Sequence, residues 1–513
     1  MGGKSNWIAL FALSLATLVV GLDATVLNVA LPTISGDLGA SASQLQWIVN
    51  SYTLALAATI LPAGVIADRY GRKRTLLVGL AIFFIGSIAS ALTSDANTLI
   101  AMRAVMGIGA AVITPIVMAM IPLMFDERER ARAVGAIATS TSVGLPLGLI
   151  VGGYLLNHYS WSSIFWINVP IVILASIAVI ALVQESQSPS TKRLDYLGAV
   201  LAIPGVVSLV YGFSEAPSYG WTSARTLGFI GAGLLLLAIF VFWEARAGEP
   251  LVPLQLFRHR AFVGGTISLA LMMAVLYGLL FTLPQYLQEV RGNDALGTGV
   301  RLVPMMLGLM ITATAGRSAL AKFGVARVIA GGVLLIAAAL AGLSFLTPHT
   351  GTIWIALALF AVGGGVGLAM TASMNSVLGA LPRAEVGTGS AVTSTIRQVA
   401  AALGVAILGS ILSSIYRGDL DRGMLQGLPP ESARSVRESI SAGMAAIAGR
   451  SDADALRAMI GGSYTDAMST ILLICAGVGV AVAAISLLLM RTPAGKPEPS
   501  PEPAGVVHLQ ELL

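Results

Sequence analysis

The chain has 513 residues, 56% of them hydrophobic and only 11% charged, with a formal net charge of +5 and a mean hydropathy of +0.85. That balance excludes a soluble globular domain and points to a polytopic, all-α membrane protein. So small a positive excess fits loops biased toward one side of a bilayer better than it fits a nucleic-acid surface.

A helix needs about 20 apolar residues to span hydrocarbon. On that measure the sequence predicts fourteen spans. Six lie near 8–31, 46–67, 75–93, 98–120, 132–156 and 163–183. Two follow near 195–213 and 226–243, and the last six near 261–288, 298–316, 325–346, 352–373, 385–416 and 465–490. The first run opens at Trp7 without a small-residue cleavage site, so no removable signal is expected. The lone cysteine, Cys475, rules out an intrachain disulfide. No Gly-x-x-x-x-Gly-Lys-Ser/Thr motif is present, which speaks against ATP-driven work by this chain.

The predicted organisation is six, two, six. A first bundle covers 1–183, a linker with two additional spans covers 184–260, and a second bundle covers 261–490. Segment 417–464 is polar, carries Pro429 and Pro430, and reads as an external cap of one or two amphipathic helices. The proline-rich stretch 491–513 reads as a disordered cytoplasmic tail. Charge placement agrees with an even count and a cytoplasmic N-terminus. Arg69 to Arg74, Arg128 to Arg132, Lys192, Arg193, Arg246 to Arg260, Arg317 to Arg327, Arg383, Arg491 and Lys496 all fall on one side, and only Arg225, Arg291 and Arg301 fall in short loops opposite.

The stretch Gly64 to Arg74 concentrates charge and glycine between the second and third spans. Its basic residues suit a cytoplasmic loop, whereas Asp68 at a membrane edge calls for a partner. Arg317 to Arg327 repeats it weakly, keeping the second glycine as Gly324 and replacing the acid by Ala321. Such paired halves accompany transporters that hold substrate near the midplane.

Few residues inside the spans can carry chemistry. Asp23 lies some 15 residues into the first span, about 22 Å from its inner end at ~1.5 Å per residue. An intramembrane carboxyl group is costly and suits reversible protonation. Arg103 lies about 7 Å below the outer surface against about 13 Å for Asp23, and can either pair with an acid or snorkel outward. Gly144, Pro146, Gly148, Gly152 and Gly153 in the fifth span combine a bend with room for a close neighbour. Asn28, Trp47, Tyr52, Tyr277, Phe281, Gln285, Met305, Met374 and Arg397 are candidates to line an adaptable cavity, with Tyr286, Met306 and Met370 as further soft or aromatic positions. His158, His259, His349 and His508 are scattered without metal-ligand spacing, so no metal site and no enzyme chemistry is expected. A non-transporting scaffold would gain nothing from Asp23.

Several of these stretches share one resemblance. Gly64-x-x-x-Asp68-Arg69-x-Gly71-Arg72-Lys73 resembles the loop between helices 2 and 3 of the major facilitator superfamily, a conformational latch in that family. Leu22 to Pro32, with Asp23, resembles the first helix of its fourteen-helix drug–proton antiporters, where the acid serves proton coupling or substrate binding. Arg103 to Ala111 resembles their fourth helix, whose arginine is implicated in proton relay. Trp161-x-x-x-Phe165-x-x-Asn168-x-Pro170, Asp195 to Gly198, Pro250 to Phe257 and Arg397-Gln398 also match family patterns. The fifth helix departs from the antiporter motif: Leu149 replaces its usual proline, and Pro146 sits three residues earlier.

The resemblance implies a major facilitator fold. It also implies proton-coupled efflux of lipophilic drugs or antibiotics by alternating access, from a monomer in a bacterial inner membrane. Asp23 and Arg103 would carry the proton. No cofactor beyond protons and no nucleic acid is implied. The lack of deep acids in the second half favours neutral or monovalent cationic substrates. An exporter dedicated to one metabolite, lipid or siderophore is the alternative.

Overall fold

The structure is a computed structural model that describes residues 3–185, 195–248, 250–347, 350–381, 386–420, 425, 428–447 and 449–489. The predicted tail 491–513 and most of the linker after Gln184 lie outside the described residues. The first half runs α1 (Gly3–Leu38), α2 (Ala42–Tyr70), α3 (Arg72–Leu92), α4 (Ala96–Met124), α5 (Glu127–His158), α6 (Ser163–Trp166) and α7 (Asn168–Leu182). The additional hairpin is α8 (Tyr196–Tyr219) and α9 (Ala224–Glu244). The second half runs α10 (Arg260–Gln285), α11 (Ala295–Phe323), α12 (Val325–Leu343), α13 (Thr352–Gly379), α14 (Val386–Leu420), α15 (Pro430–Glu438), α16 (Ile440–Ala446) and α17 (Ala453–Leu489).

Among the described residues, 13 helices are long and apolar enough to cross a membrane. The remaining predicted span, near 46–67, lies within the 29-residue α2, some of whose side chains fall outside the described ones.

Local chemistry sets most helix ends. Ser41 and Gln44 form a reciprocal capping box at α2, and Asp95, Asp126, Asp195, Ser223 and Asp294 cap α4, α5, α8, α9 and α11. The repeat seen in sequence is also a structural one. Gly71 (φ 105°) joins α2 to α3 and Gly324 (φ 78°) joins α11 to α12. Both reversals sit in the left-handed region that favours glycine.

Two elements differ from expectation. The sixth span is broken between α6 and α7, because Pro170 has no N–H to donate to the Trp166 carbonyl four residues back; before the break Trp161 is buried against Phe165, whereas Trp166 is exposed. The last span begins at Ala453 rather than near 465, since Leu456, Ile460 and Tyr464 repeat on one buried face.

Two hydrophobic cores result, one built mainly from α1–α7 and one mainly from α10–α17. They exchange a few residues: Val29 and Leu149 belong to the second core, Phe281 and Val405 to the first. The exchange occurs away from the turn at Gly71, at what we call the far end, the opposite one being the basic end. All the hydrogen bonds between the two bundles among the described residues lie there: Asn157 to Asp294 (2.5 Å), Gln288 to the Val29 carbonyl (2.8 Å) and Ser35 with Ser439 (3.0 Å). The last of these brings the α15–α16 segment over the end of α1.

Glycine makes this contact possible. A methyl group at Gly153 would lie 2.6 Å from Leu296 Cα, and one at Gly299 would overlap the Leu149 carbonyl oxygen. Overpacking such an interface costs about 1–3 kcal/mol. Gly299→Val should therefore reduce disulfide formation between cysteines placed at Asn157 and Asp294 by about fivefold or more, in a Cys475→Ser background. An undiminished cross-linking yield would show that the far end does not close on this glycine.

Candidate functional site

Asp23 sits in the middle of the first bundle and is fully buried. Its Oδ2 accepts a hydrogen bond from Arg103 Nη1 at 2.8 Å, and Arg103 is itself only 2% exposed. Of the two options open to Arg103 in sequence, pairing is the one realised. Oδ1 accepts from Asn168 Nδ2 at 3.3 Å, and the same amide donates to Ser87 (3.2 Å), whose hydroxyl donates to the Phe165 carbonyl (2.8 Å). Arg103 Nε donates to the Ile48 carbonyl at 3.4 Å, and the guanidinium lies over the Tyr52 ring, 4.3 Å from its centre. Five helices, α1, α2, α3, α4 and α7, thus converge on one carboxyl group.

Sequence reasoning missed Asn168 as part of this site. The signal that could have found it was the Phe165-x-x-Asn168-x-Pro170 spacing: Pro170 breaks the helix two residues beyond Asn168, which faces inward at that break.

A small cavity of about 20 Å³ adjoins the pair. It is lined by Ala24, Leu27, Asn28, Val49, Tyr52, Thr53, Arg103, Tyr277 and Gln398. Asn28, Tyr52 and Tyr277 are therefore brought together as a candidate cavity, with residues from both bundles. Other candidates are not brought there. Trp47 packs near Tyr211 of the additional hairpin, ring centres 6.1 Å apart. Phe281 is buried in the first bundle's core, and the Gln285 side chain turns back to the Phe281 carbonyl at 2.9 Å. Met305 is wholly buried in the second core. Met374 and Arg397 are half-buried on α13 and α14.

The glycine motif of α5 divides between two neighbours. Gly144 and Gly148 abut the α1 backbone near Leu18 and Leu22, Gly152 abuts Val26, and Gly153 abuts α11. Pro146 lies inside the helix without breaking it. Leu149, at the position of the missing motif proline, is wholly buried and presents its carbonyl to Gly299.

At the basic end, Arg72 Nη1 donates to the Ala119 carbonyl (3.0 Å) and Lys73 Nζ to the Ile180 carbonyl (2.7 Å). Glu185 accepts from the backbone N–H groups of Lys73 (3.0 Å) and Arg74 (3.2 Å), so a carboxylate sits on the positive end of α3. Glu185 follows the sixth span and was not legible as a partner of this turn. Arg69 is exposed against Tyr70. A side chain at Gly64 would meet open space, so that glycine marks no close approach here. The side chain of Asp68 lies outside the described ones.

Removing one member of a buried ion pair strands a charge and costs about 3–5 kcal/mol, whereas replacing both by apolar groups is often neutral. Arg103→Leu should accordingly lower stability toward denaturing detergent by about that amount, and the double variant Asp23→Leu/Arg103→Leu should regain most of it. A double variant no more stable than the single one would show that the two charges do not stabilise each other.

Asp294 offers a pH test outside the spans. The hydrogen bonds from Asn157 and from the Gly297 N–H hold its carboxyl below the usual range. With the folded value depressed, its contribution is complete above about pH 4 and is lost as pH falls through the lowered value. The separation of spin labels on the far ends of α5 and α11 should then stay constant down to about pH 4 and lengthen only below it. In Asp294→Asn that low-pH change should vanish.

Residues 13–405 match the family model described as Major Facilitator Superfamily. The chain is 30% identical over 509 residues to the tetracenomycin C resistance and export protein of Streptomyces glaucescens, covering 97% of this chain and 94% of that one. It is 31% identical over 438 residues to the multidrug resistance protein Stp of Mycobacterium tuberculosis, covering 85% and 81%. It is 33% identical over 444 residues to the multidrug efflux pump LfrA of Mycolicibacterium smegmatis, covering 86% and 87%. Among solved structures, its fold is similar to that of a bacterial homologue of the human lysosomal transporter Spinster in an inward-facing, unoccupied conformation, with a TM-score of 0.67 at 18% identity over 96% of this chain and 100% of that one. At that identity the likeness shows the fold alone.

Proposed function

The chain belongs to the major facilitator superfamily, and we propose that it exports lipophilic small molecules, drugs or antibiotics, in exchange for protons. The relatives named for drug resistance and export support the export reading. The observation that carries proton coupling is the buried Asp23–Arg103 pair beside a cavity that both bundles line.

The coupling works through one charge. With Asp23 ionised, Arg103 and Asn168 hold it. A proton on the carboxyl group removes the attraction to Arg103 and frees the guanidinium, which lines the cavity with Tyr52 and Tyr277. Proton and substrate then compete for one arrangement of the first bundle, and alternation of the two bundles about the cavity carries them in opposite directions. The hydrogen bonds at the far end make this the state closed on that side. With the basic end cytoplasmic, the protein sits in a bacterial inner membrane with both termini on the cytoplasmic side. The turn Gly64 to Arg74 serves as the conformational latch. Protons are the coupling ion, no cofactor takes part, and the protein works as a monomer on neutral or monovalent cationic substrates. The 97% coverage of a relative named for a single antibiotic supports a second reading, a dedicated exporter with the same machinery.

The test is ethidium efflux from purified protein in liposomes under an imposed pH gradient. Wild type should accumulate or expel ethidium according to the sign of the gradient, and Asp23→Asn should lose the gradient dependence. Coupled transport that survives Asp23→Asn would remove Asp23 from the mechanism. Competition among unrelated compounds separates the broad reading from the dedicated one.

A further inference from the structure

The additional hairpin takes no part in the Asp23 site, yet it encloses an apolar cavity of about 330 Å³ against the seam between the two bundles. Its inner wall is α2 and α14, its outer wall α8 and α9, and Leu251 and Phe257 close it toward the basic end. Ala57 and Ala58 of α2 and Ala199 and Ala202 of α8 line it, so small side chains leave space that no described residue fills. At its rim Ile203, Val207 and Val241 are 39%, 36% and 50% exposed, an apolar margin turned toward hydrocarbon.

The two seam helices each present one side to this space and the other to the central cavity. On α2, Leu54 and Ala57 line the outer cavity while Tyr52 and Thr53 line the inner one. On α14, Ile396 and Val399 line the outer cavity while Gln398 lines the inner one. One helix thickness separates them. Toward the far end the seam is sealed where Leu54 packs with Val210, Ala402 and Ala406.

One polar side chain, Thr395, forms part of its wall. The Thr395 hydroxyl is buried there without a hydrogen-bond partner, an arrangement that costs roughly 1–3 kcal/mol unless a guest supplies one. A lipid acyl chain has no polar atom to offer along its length. A fused aromatic molecule with an amine, carbonyl or hydroxyl group fits the volume, which lies in the range of about 300–1,000 Å³ of small-molecule pockets, and carries a partner for the hydroxyl once the Thr395 side chain turns toward it.

We infer that this cavity is a membrane-side entry vestibule for the transported lipophilic substrate, walled by the additional hairpin, from which substrate passes between α2 and α14 to the site beside Asp23. The inference rests on the export reading above.

Two measurements in liposomes test it, both with ethidium. First, Ala57→Trp and Ala202→Trp should raise the KM for gradient-driven ethidium transport by at least about fivefold with kcat retained, since a filled vestibule removes binding and leaves the coupling step intact. Second, in Ala57→Cys/Cys475→Ser, ethidium should slow alkylation by N-ethylmaleimide, a readout that needs no transport. An unchanged KM in both tryptophan variants together with unprotected Cys at 57 overturns the vestibule while leaving export standing. Protection without gradient-driven transport in wild type keeps the vestibule and overturns the export reading. An alkylation rate that follows the acyl-chain length of the bilayer and ignores ethidium assigns the cavity to structural lipid, and the proposal fails.

Discussion

A carboxylate and a guanidinium held 2.8 Å apart out of contact with water constrain the whole first bundle. Desolvating two ions costs several kcal/mol each, and mutual attraction offsets this only when the remaining hydrogen-bonding capacity is also met. The supporting groups come from different helices: Asn168 and Ser87 on the acid's side, the Ile48 carbonyl and the Tyr52 face on the base's side. None of these can shift without leaving a charge less well satisfied. The bundle is therefore tied together by one pair of charges, a dependence that an apolar core of equal volume would not have.

Closure at the far end depends on a different physical device, the absence of side chains. Gly144, Gly148 and Gly152 bring α5 onto α1, the helix that carries Asp23, and Gly153 brings the same stretch onto α11 of the other bundle. One short stretch of α5 is thus shared between the acid's own helix and the bundle interface. Any displacement of α1 that accompanies a change at Asp23 meets α5 directly, and α5 meets α11 with no side-chain layer to absorb the movement. Leu149 adds to this. A proline there would remove an N–H, but the contact with Gly299 is made by the carbonyl, which leucine and proline share, and the leucine side chain fills a place in the second core.

Much of this was legible in the chain. Hydrophobic runs located nearly all the helices, the echo between Gly71 and Gly324 foretold two matching reversals, and the depth arithmetic brought Asp23 and Arg103 close enough to pair. What could not be read was side-chain direction within a helix. Trp47, Phe281, Gln285 and Met305 lie at suitable depths, yet they face a hairpin or a core, because the sequence gives their height in the membrane but not which neighbour their side of the helix meets. Asn168 and Glu185 were missed for a related reason. Each becomes functional only through a contact more than 100 positions away in the chain, and no periodicity encodes that.

The two halves share a frame but not a chemistry. Each reverses at a glycine with positive φ after its second helix, yet Ala321 stands where the first half has Asp68, and among the described residues α10–α14 hold no counterpart of the buried Asp23–Arg103 pair. A buried ion pair in one bundle needs fixed partners for its charges, since a charge left without them would be stranded in low dielectric. A surface that accommodates different lipophilic molecules needs the reverse, soft side chains and few fixed polar demands. Placing the ion pair in α1 and α4 and leaving the second bundle nearly free of buried charge keeps those requirements apart, so that variation in the second half need not disturb Asp23 in the first.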